Sequence, residues 1–311
     1  MTDNIKDINA EVTPEQPQKT MKEKDINTVS KKQTVMKVIV QIALYGFLTF
    51  MAIIVLFPFY WMLISSVKSI TEYNQTVPSF WPKQLRWETY KVAFNTVNFG
   101  KVFLNTCYVG IVSTILSLII TVLSAYAFAR LDFKGKNAMF GALLATMMIP
   151  GELFTITNYI TVVGWLHWDN TFAALIIPFL VSVFYIYLLR QNFMQIPNEL
   201  YLAAKVDGTS DLKYLWKVMI PLAAPTLISI TILKMMGSWN SYIWPNLVTD
   251  ESSGKWLMTV ALRSADFGEG ALVDFPAQMA AVVLVTIPLF LVFLFFRKYI
   301  MRGVSRSGIK G

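Results

Sequence analysis

Six stretches of predominantly apolar sequence constrain this chain more than any other feature. They lie at about 38–63, 102–128, 138–162, 172–189, 222–244 and 276–300. An α-helix needs roughly 20 apolar residues to cross the hydrocarbon of a bilayer. In lipid every backbone N–H and C=O must be paired internally, which a helix does within its own segment. The pattern predicts an all-α membrane protein with six transmembrane helices. The composition agrees: 15% of residues are charged and 55% hydrophobic, where a soluble domain carries about 25% charged residues.

Residues 1–33 are polar and charge-mixed, and read as a disordered tail. The run at 38–63 follows Lys31, Lys32 and Lys37, and no small-residue cleavage site comes after it. It reads as a retained first span rather than a signal peptide. The chain thus divides into a tail, 1–33, and a membrane domain, 34–311. Prolines 58, 150, 178, 225 and 288 interrupt the spans. Membrane helices tolerate proline where neighbours satisfy the freed carbonyls. So many interruptions suggest a bundle around a pathway rather than an anchor.

Charge sets the expected orientation. One side collects the tail lysines, the 129–138 turn (Arg130, Lys134, Lys136), the 190–220 loop (Arg190, Lys205, Lys213, Lys217) and the C-terminus (Arg297, Lys298, Arg302, Arg306, Lys310). The other side holds fewer: Lys68, Lys83, Arg86, Lys91, Lys101, Lys255 and Arg263. Positive loops stay inside, which places both termini in the cytoplasm and requires an even number of spans. The net charge of +8 is therefore read as orientation, not as affinity for nucleic acid. Tryptophans 81, 87, 165, 168, 244 and 256 fall near the outer ends of spans and suit an interfacial belt.

Cys107 and His167 are the single residues of their kinds. The chain can form no internal disulfide and no thiol or His-rich metal site, and a His-based catalytic triad is not expected. No catalytic residue is assigned.

The loop between the fourth and fifth spans, 191–221, carries the most information. Pro197 suits a helix start, with Asn198 also capping-competent. Gly208 fits the left-handed position that ends a helix. Ser210 or Asp211 can cap the next one. Leu212, Leu215, Trp216 and Met219 recur at helical spacing, and Pro221 is expected to end that helix before the membrane. Ala203 and Ala204 leave the first helix's backbone accessible. The physics leaves two readings open: a hairpin that a partner grips, or an amphipathic loop lying on the lipid surface.

Leu-Ala-Ala-Lys-Val-Asp-Gly at 202–208, with Ile-Pro at 220–221 and Glu199 upstream, resembles the EAA loop of permease subunits of bacterial ABC importers. Leu202 departs from the usual glutamate. Trp239-Asn-Ser-Tyr-Ile-Trp244-Pro245 resembles a signature of the carbohydrate branch, which includes the maltose permeases. Met148-Ile-Pro150-Gly-Glu152 resembles that branch's third-span turn. Gly303-Val-Ser-Arg-Ser-Gly-Ile-Lys-Gly311 resembles its C-terminal pattern. The resemblance covers about 38–311.

The resemblance implies the type I importer permease fold and a role as half of a sugar pathway in a bacterial cell membrane. It implies four kinds of partner: a second, different permease, two ATPase subunits, an extracellular solute-binding protein and the sugar itself. Coupling to the ATPase falls to Glu199, Ala203, Ala204, Asp207, Gly208 and Pro221. The chain has no G-x-x-x-x-G-K-[ST] loop, so ATP and Mg belong to the partner and the chain holds no cofactor of its own. The matching outer loop would meet the binding protein, here through Ser252, Ser253 and Gly254.

Lys234 lies mid-span, on one helical face with Thr231, Ser238 and Ser241. It serves either the pathway, a partner across the subunit interface, or a snorkelling contact. Trp239, Asn240 and Trp244 suit the flat faces and hydroxyls of a sugar, or else packing between permeases. Glu152, near Asn158, is either a gate residue or the cap of a broken helix. The alternatives to a sugar importer are a self-contained secondary transporter, which would require inverted repeats, and an importer of another solute such as a peptide or glycerol phosphate.

Overall fold

The computed structural model describes residues 23–268 and 273–305. Among them there is no β-strand. Residues 1–22 of the expected tail, and 306–311 of the C-terminal pattern, lie outside the described residues. Residues 23–33, expected to belong to the tail, are helical.

The chain divides into two compact units at Phe59 and Tyr60. The first contains most of α1 (Glu23–Ser65). From Thr34 to Phe59 its apolar side chains are exposed on every face, with Ile42, Tyr45 and Phe47 all more than half exposed. A helix apolar all round is a membrane span rather than a surface helix of a soluble domain.

The second unit is built around α3 (Phe99–Arg130). Its two faces are inverted relative to a soluble helix. Thr106, Gly110, Ser113, Ser117, Thr121 and Ala125 are buried at three- and four-residue spacing, while Leu104, Tyr108, Ile111, Ile115, Ile119 and Leu123 point outward. In lipid the large apolar side chains gain nothing by turning inward, and small residues let helix backbones approach. Two helices use that seam, α7 (Val183–Met194) and α10 (Ala224–Trp239). Ser113 Oγ and Ser238 Oγ meet across it at 3.2 Å. The last helix, α13 (Phe275–Ser305), packs on α10 and on the short helix α2 (Glu88–Thr96). The segment after α1 is knotted by buried charge: Lys68 Nζ donates to Ser79 O at 2.5 Å, and Glu72 accepts from Ser79 Oγ at 2.6 Å.

Three helices are long and apolar enough to cross a membrane as they stand: α1, α3 and α13. Three further candidate spans are bent pairs of helices, the third of which begins at Asp211, eleven residues before the expected fifth span. α4 (Lys136–Thr146) meets Gly151–Trp165, which contains α5 (Phe154–Tyr159), at 81°; Phe172–Phe179, which contains α6 (Phe172–Ile176), meets α7 at 46°; and Asp211–Leu222 meets α10 at 81°. Six spans follow if each pair is one. The breaks fall at Pro150-Gly151, after Pro178, and just before Pro225. Proline supplies no N–H and clashes with the preceding turn, so the chain changes direction there.

Two expected boundaries are corrected. The fifth span was expected to run from 222 to 244, but α10 ends at Trp239, and Trp244 lies on a separate helix, α11 (Ile243–Val248). The helix before it does not stop at Pro221. It continues to Leu222 and turns at Ala223. A wide turn at Leu215–Met219, in which Ile220 N–H reaches back five residues to Leu215 O, precedes Pro221 and accommodates its missing donor.

Candidate functional site

Two of the three helix breaks, at Pro150-Gly151 and after Pro178, open on one cavity of about 780 Å³. Gly151 and Glu152 reach it from the third span, Phe179, Ser182 and Tyr185 from the fourth, Lys234 and Ser238 from α10, and the segment 240–245 from the turn beyond. Irregular backbone at membrane depth is tolerated only where protein buries it or a cavity hydrates it. Those two breaks and the cavity are therefore one feature.

Lys234 shows how the site is built. Its Nζ donates to Phe179 O at 2.7 Å. That carbonyl closes the short turn Ile177–Phe179, where the fourth span is interrupted. The interruption ends at Ser182, whose hydroxyl accepts from Tyr185 N–H to start α7. The ammonium and the carbonyl at the break thus satisfy each other.

Five of the seven expected pathway residues line the cavity: Glu152, Lys234, Ser238, Asn240 and Trp244. Trp244 presents only part of its ring. Its Nε1 donates to Ala174 O at 2.9 Å, and its face meets Phe179 edge-on at 5.4 Å. Trp239 and Asn158 are not among the lining residues. Trp239 is buried in the core, edge-on to Phe103, with Nε1 donating to Val285 O at 3.3 Å. The polar stripe is also shorter than expected. Thr231 bonds back to Leu227 O, and only Lys234, Ser238 and Ser241 of the four reach the cavity.

Tyr185 and Ser113 line the cavity without having been expected there. Nothing local marks Tyr185, which sits in an apolar run. The small-residue stripe of α3 was a signal for Ser113.

The loop after the fourth span forms the expected hairpin. α8 (Asn198–Val206) ends on Gly208, whose φ of 69° is left-handed. Gly208 N–H returns to Lys205 O and Thr209 N–H to Ala204 O, the paired bonds of a Schellman end. Ser210 then caps α9 (Asp211–Tyr214), accepting from Lys213 N–H. Of the expected coupling residues, Glu199, Ala203, Asp207, Gly208 and Pro221 are exposed and Ala204 is half-buried. Leu202, Val206, Leu212 and Trp216 add exposed apolar surface.

Asp211 ties the two arms together. Its carboxylate accepts from Tyr126 Oη at 2.8 Å, Tyr201 Oη at 3.0 Å and Lys205 Nζ at 2.9 Å. The bonds from Lys205 and then Tyr126 hold it below the ordinary aspartate pKa.

The turn after α11 is anchored by Asp250. Its carboxylate accepts from Ser252 Oγ, Ser253 N–H and Asn170 Nδ2, each within 2.9 Å. Gly254 is left-handed at φ 63° and its carbonyl accepts from Asn105. Ser252 is exposed, whereas Ser253 and Gly254 are half-buried. Among the described residues no cluster of three or more His, Cys, Asp or Glu side chains could hold a metal ion.

Comparison with known proteins places this geometry. The family described as binding-protein-dependent transport system inner membrane component matches residues 75–306. The arabinooligosaccharides transport system permease protein AraQ of Bacillus subtilis is 29% identical, over 87% of this chain and 96% of that protein. The sn-glycerol-3-phosphate transport system permease protein UgpE of Yersinia pestis is 28% identical, over 82% and 92%. Among solved structures, a chain from a bacterial ABC transporter involved in the import of the acidic polysaccharide alginate superposes with a TM-score of 0.76. It is 25% identical, over 85% of this chain and 97% of that one.

Proposed function

Because this chain belongs to the binding-protein-dependent transport system inner membrane components, we propose that it forms half of the translocation pathway of an ATP-driven importer for a sugar or oligosaccharide. The cavity at the helix breaks carries this reading. Its lining offers aromatic rings, an amide, hydroxyls and two opposite charges, the mixture that recognises a polyhydroxylated solute. A relative that transports arabinooligosaccharides and a structural neighbour involved in alginate import support the substrate class.

The chain works within an assembly. A second permease closes the pathway, and two ATPase subunits bind the cytoplasmic face, where both termini and the hairpin lie. ATP and Mg are held by those subunits, not by this chain. Glu199, Ala203, Ala204, Asp207, Gly208 and Pro221 present the hairpin to the ATPase. An extracellular binding protein delivers solute and meets the exposed tip at Ser252, on the turn that Ser253 and Gly254 complete. The exposed apolar side chains of the hairpin support a protein partner there.

A second reading keeps the assembly and changes the cargo. Lys234 in the cavity and the glycerol-phosphate relative favour a small anionic solute. Two measurements test the proposal. The tagged chain, produced with its companion permease and ATPase, should co-purify with ATP-hydrolysing activity; recovery without any ATPase would sink it. The companion binding protein should then bind oligosaccharides in a calorimetric screen, whereas affinity for glycerol phosphate alone would select the second reading.

A further inference from the structure

The hairpin packs in one buried cluster with α3, α7 and α10, and among the described residues its side-chain hydrogen bonds to the membrane domain come from one end of α3. Tyr126 and Arg130 are one turn apart on the same face of α3. Tyr126 Oη holds the second arm through Asp211 at 2.8 Å. Arg130 holds the approach to the first arm: Nη2 donates to Phe193 O at 3.0 Å and Ile196 O at 2.5 Å, and Nη1 to Asn198 Oδ1 at 3.1 Å. Around these bonds Tyr126, Phe193, Ile196, Tyr214, Leu215 and Met219 form one buried cluster. The arms also lock to each other, with the Tyr201 and Tyr214 rings edge-on at 5.3 Å.

The same helix reaches the cavity. Ser113 lies 13 residues before Tyr126, about 20 Å along an α-helix. It lines the cavity wall and meets Ser238 across the seam. By contrast, the hairpin joins α10 through an 81° corner at Ala223. A displacement travels poorly around such a corner and well along a straight helix clasped at its end.

We propose that Tyr126 and Arg130 are positioning residues that make α3 the lever of this permease, moving as one body with the hairpin and carrying its displacement to Ser113. This rests on the reading that the hairpin is gripped by an ATPase, and deepens it by assigning the path of the stroke. Neither residue belongs to the resembled loop motif. Asp211, the acceptor for Tyr126, lies three residues beyond the motif's glycine.

Distances between spin labels in the assembled transporter test it, in a Cys107→Ser background. One pair joins Lys217→Cys on the hairpin to Ile115→Cys on the outward face of α3. The other joins Lys217→Cys to Leu291→Cys on α13. Between the nucleotide-free and ATP-trapped states the first distance should stay within ~2 Å while the second changes by more, a helix-scale shift. With Tyr126→Phe, which keeps the ring, the first distance should lose that constancy. A changing first distance in the otherwise unaltered protein overturns the proposal, whether or not Tyr126→Phe assembles. So does constancy of both distances, since there would then be no stroke to carry, and so does indifference to Tyr126→Phe. Recovery of the complex without an ATPase overturns instead the reading on which the lever rests.

Discussion

Lys234 Nζ sits 2.7 Å from the carbonyl oxygen of Phe179, so a cation on the fifth span is held by the backbone break of the fourth. A lone lysine at mid-membrane costs at least about 2.5 kcal/mol. An unpaired carbonyl carries its own penalty. Each is offset by the other, and both face the cavity.

Replacing Lys234 with Met keeps the length of the side chain and removes the donor. Leaving the Phe179 carbonyl unpaired should cost about 1–3 kcal/mol. The expected outcome is a lower Tm of the assembled transporter, read by thermal aggregation in detergent. A Tm equal to the parent's would mean that the carbonyl finds water from the cavity instead.

Gly208 occupies a left-handed backbone position. An alanine there should cost roughly 1–2 kcal/mol, and the Gly208→Ala transporter should still work at reduced yield. Gly208→Pro cannot adopt φ 69° and loses the N–H that bonds to Lys205 O. Uptake of the solute identified by the binding screen should disappear. Uptake at the parent rate would show that the hairpin bend is not needed for coupling.

Ser252 and Gly254 should separate contact from scaffold. A side chain at Gly254 would be strained at φ 63° and would displace the end of Lys101. Because that end is flexible, Gly254→Ala should cost only about 1–2 kcal/mol, mostly backbone strain, and lower Tm. Ser252→Ala removes one exposed hydrogen bond to Asp250, worth about 0.5–1.5 kcal/mol, so it should lower Tm no more than Gly254→Ala does, yet weaken capture of the binding protein on immobilised transporter where Gly254→Ala does not. Unaltered capture would place the docking contact elsewhere on the outer face.

Asp211 sets a pH limit on the hairpin. Its carboxyl titrates below the ordinary value near 4 because Lys205 and Tyr126 donate to the charged form. A depressed pKa means that the stabilisation is complete above the unfolded value and is lost as pH falls through the lower folded one. A nitroxide on Lys217→Cys should therefore keep constant mobility from neutral pH to about pH 4 and gain mobility below it. With Asp211→Asn the label should be mobile throughout. A transition centred well above pH 4 would point to a different group.

The sequence marked some elements more clearly than others. Gly208 and Ser210 were legible because turn and cap chemistry is local and depends on single residues. Lys234 stood out because charge is rare in an apolar run. The angles at Pro150 and Pro178 were not legible: proline marks a break, but neighbouring helices set its size. Trp239 was misplaced for a related reason. It sits five residues before Trp244 in one short motif, yet the chain turns at Asn240–Tyr242, and that turn buries the two rings in different clusters, of which only that of Trp244 borders the cavity.

That this chain lies in a membrane, and where its hairpin turns, could be read from the residues alone. Those properties follow from transfer of apolar residues out of water and from backbone preferences that act within a few residues. Only the tertiary structure decided which side chains share the cavity and which helix the hairpin holds. Tyr126 and Asp211 are 85 residues apart, and Lys234 and Phe179 are 55 apart. No local pattern encodes such pairs, because packing of whole helices chooses them.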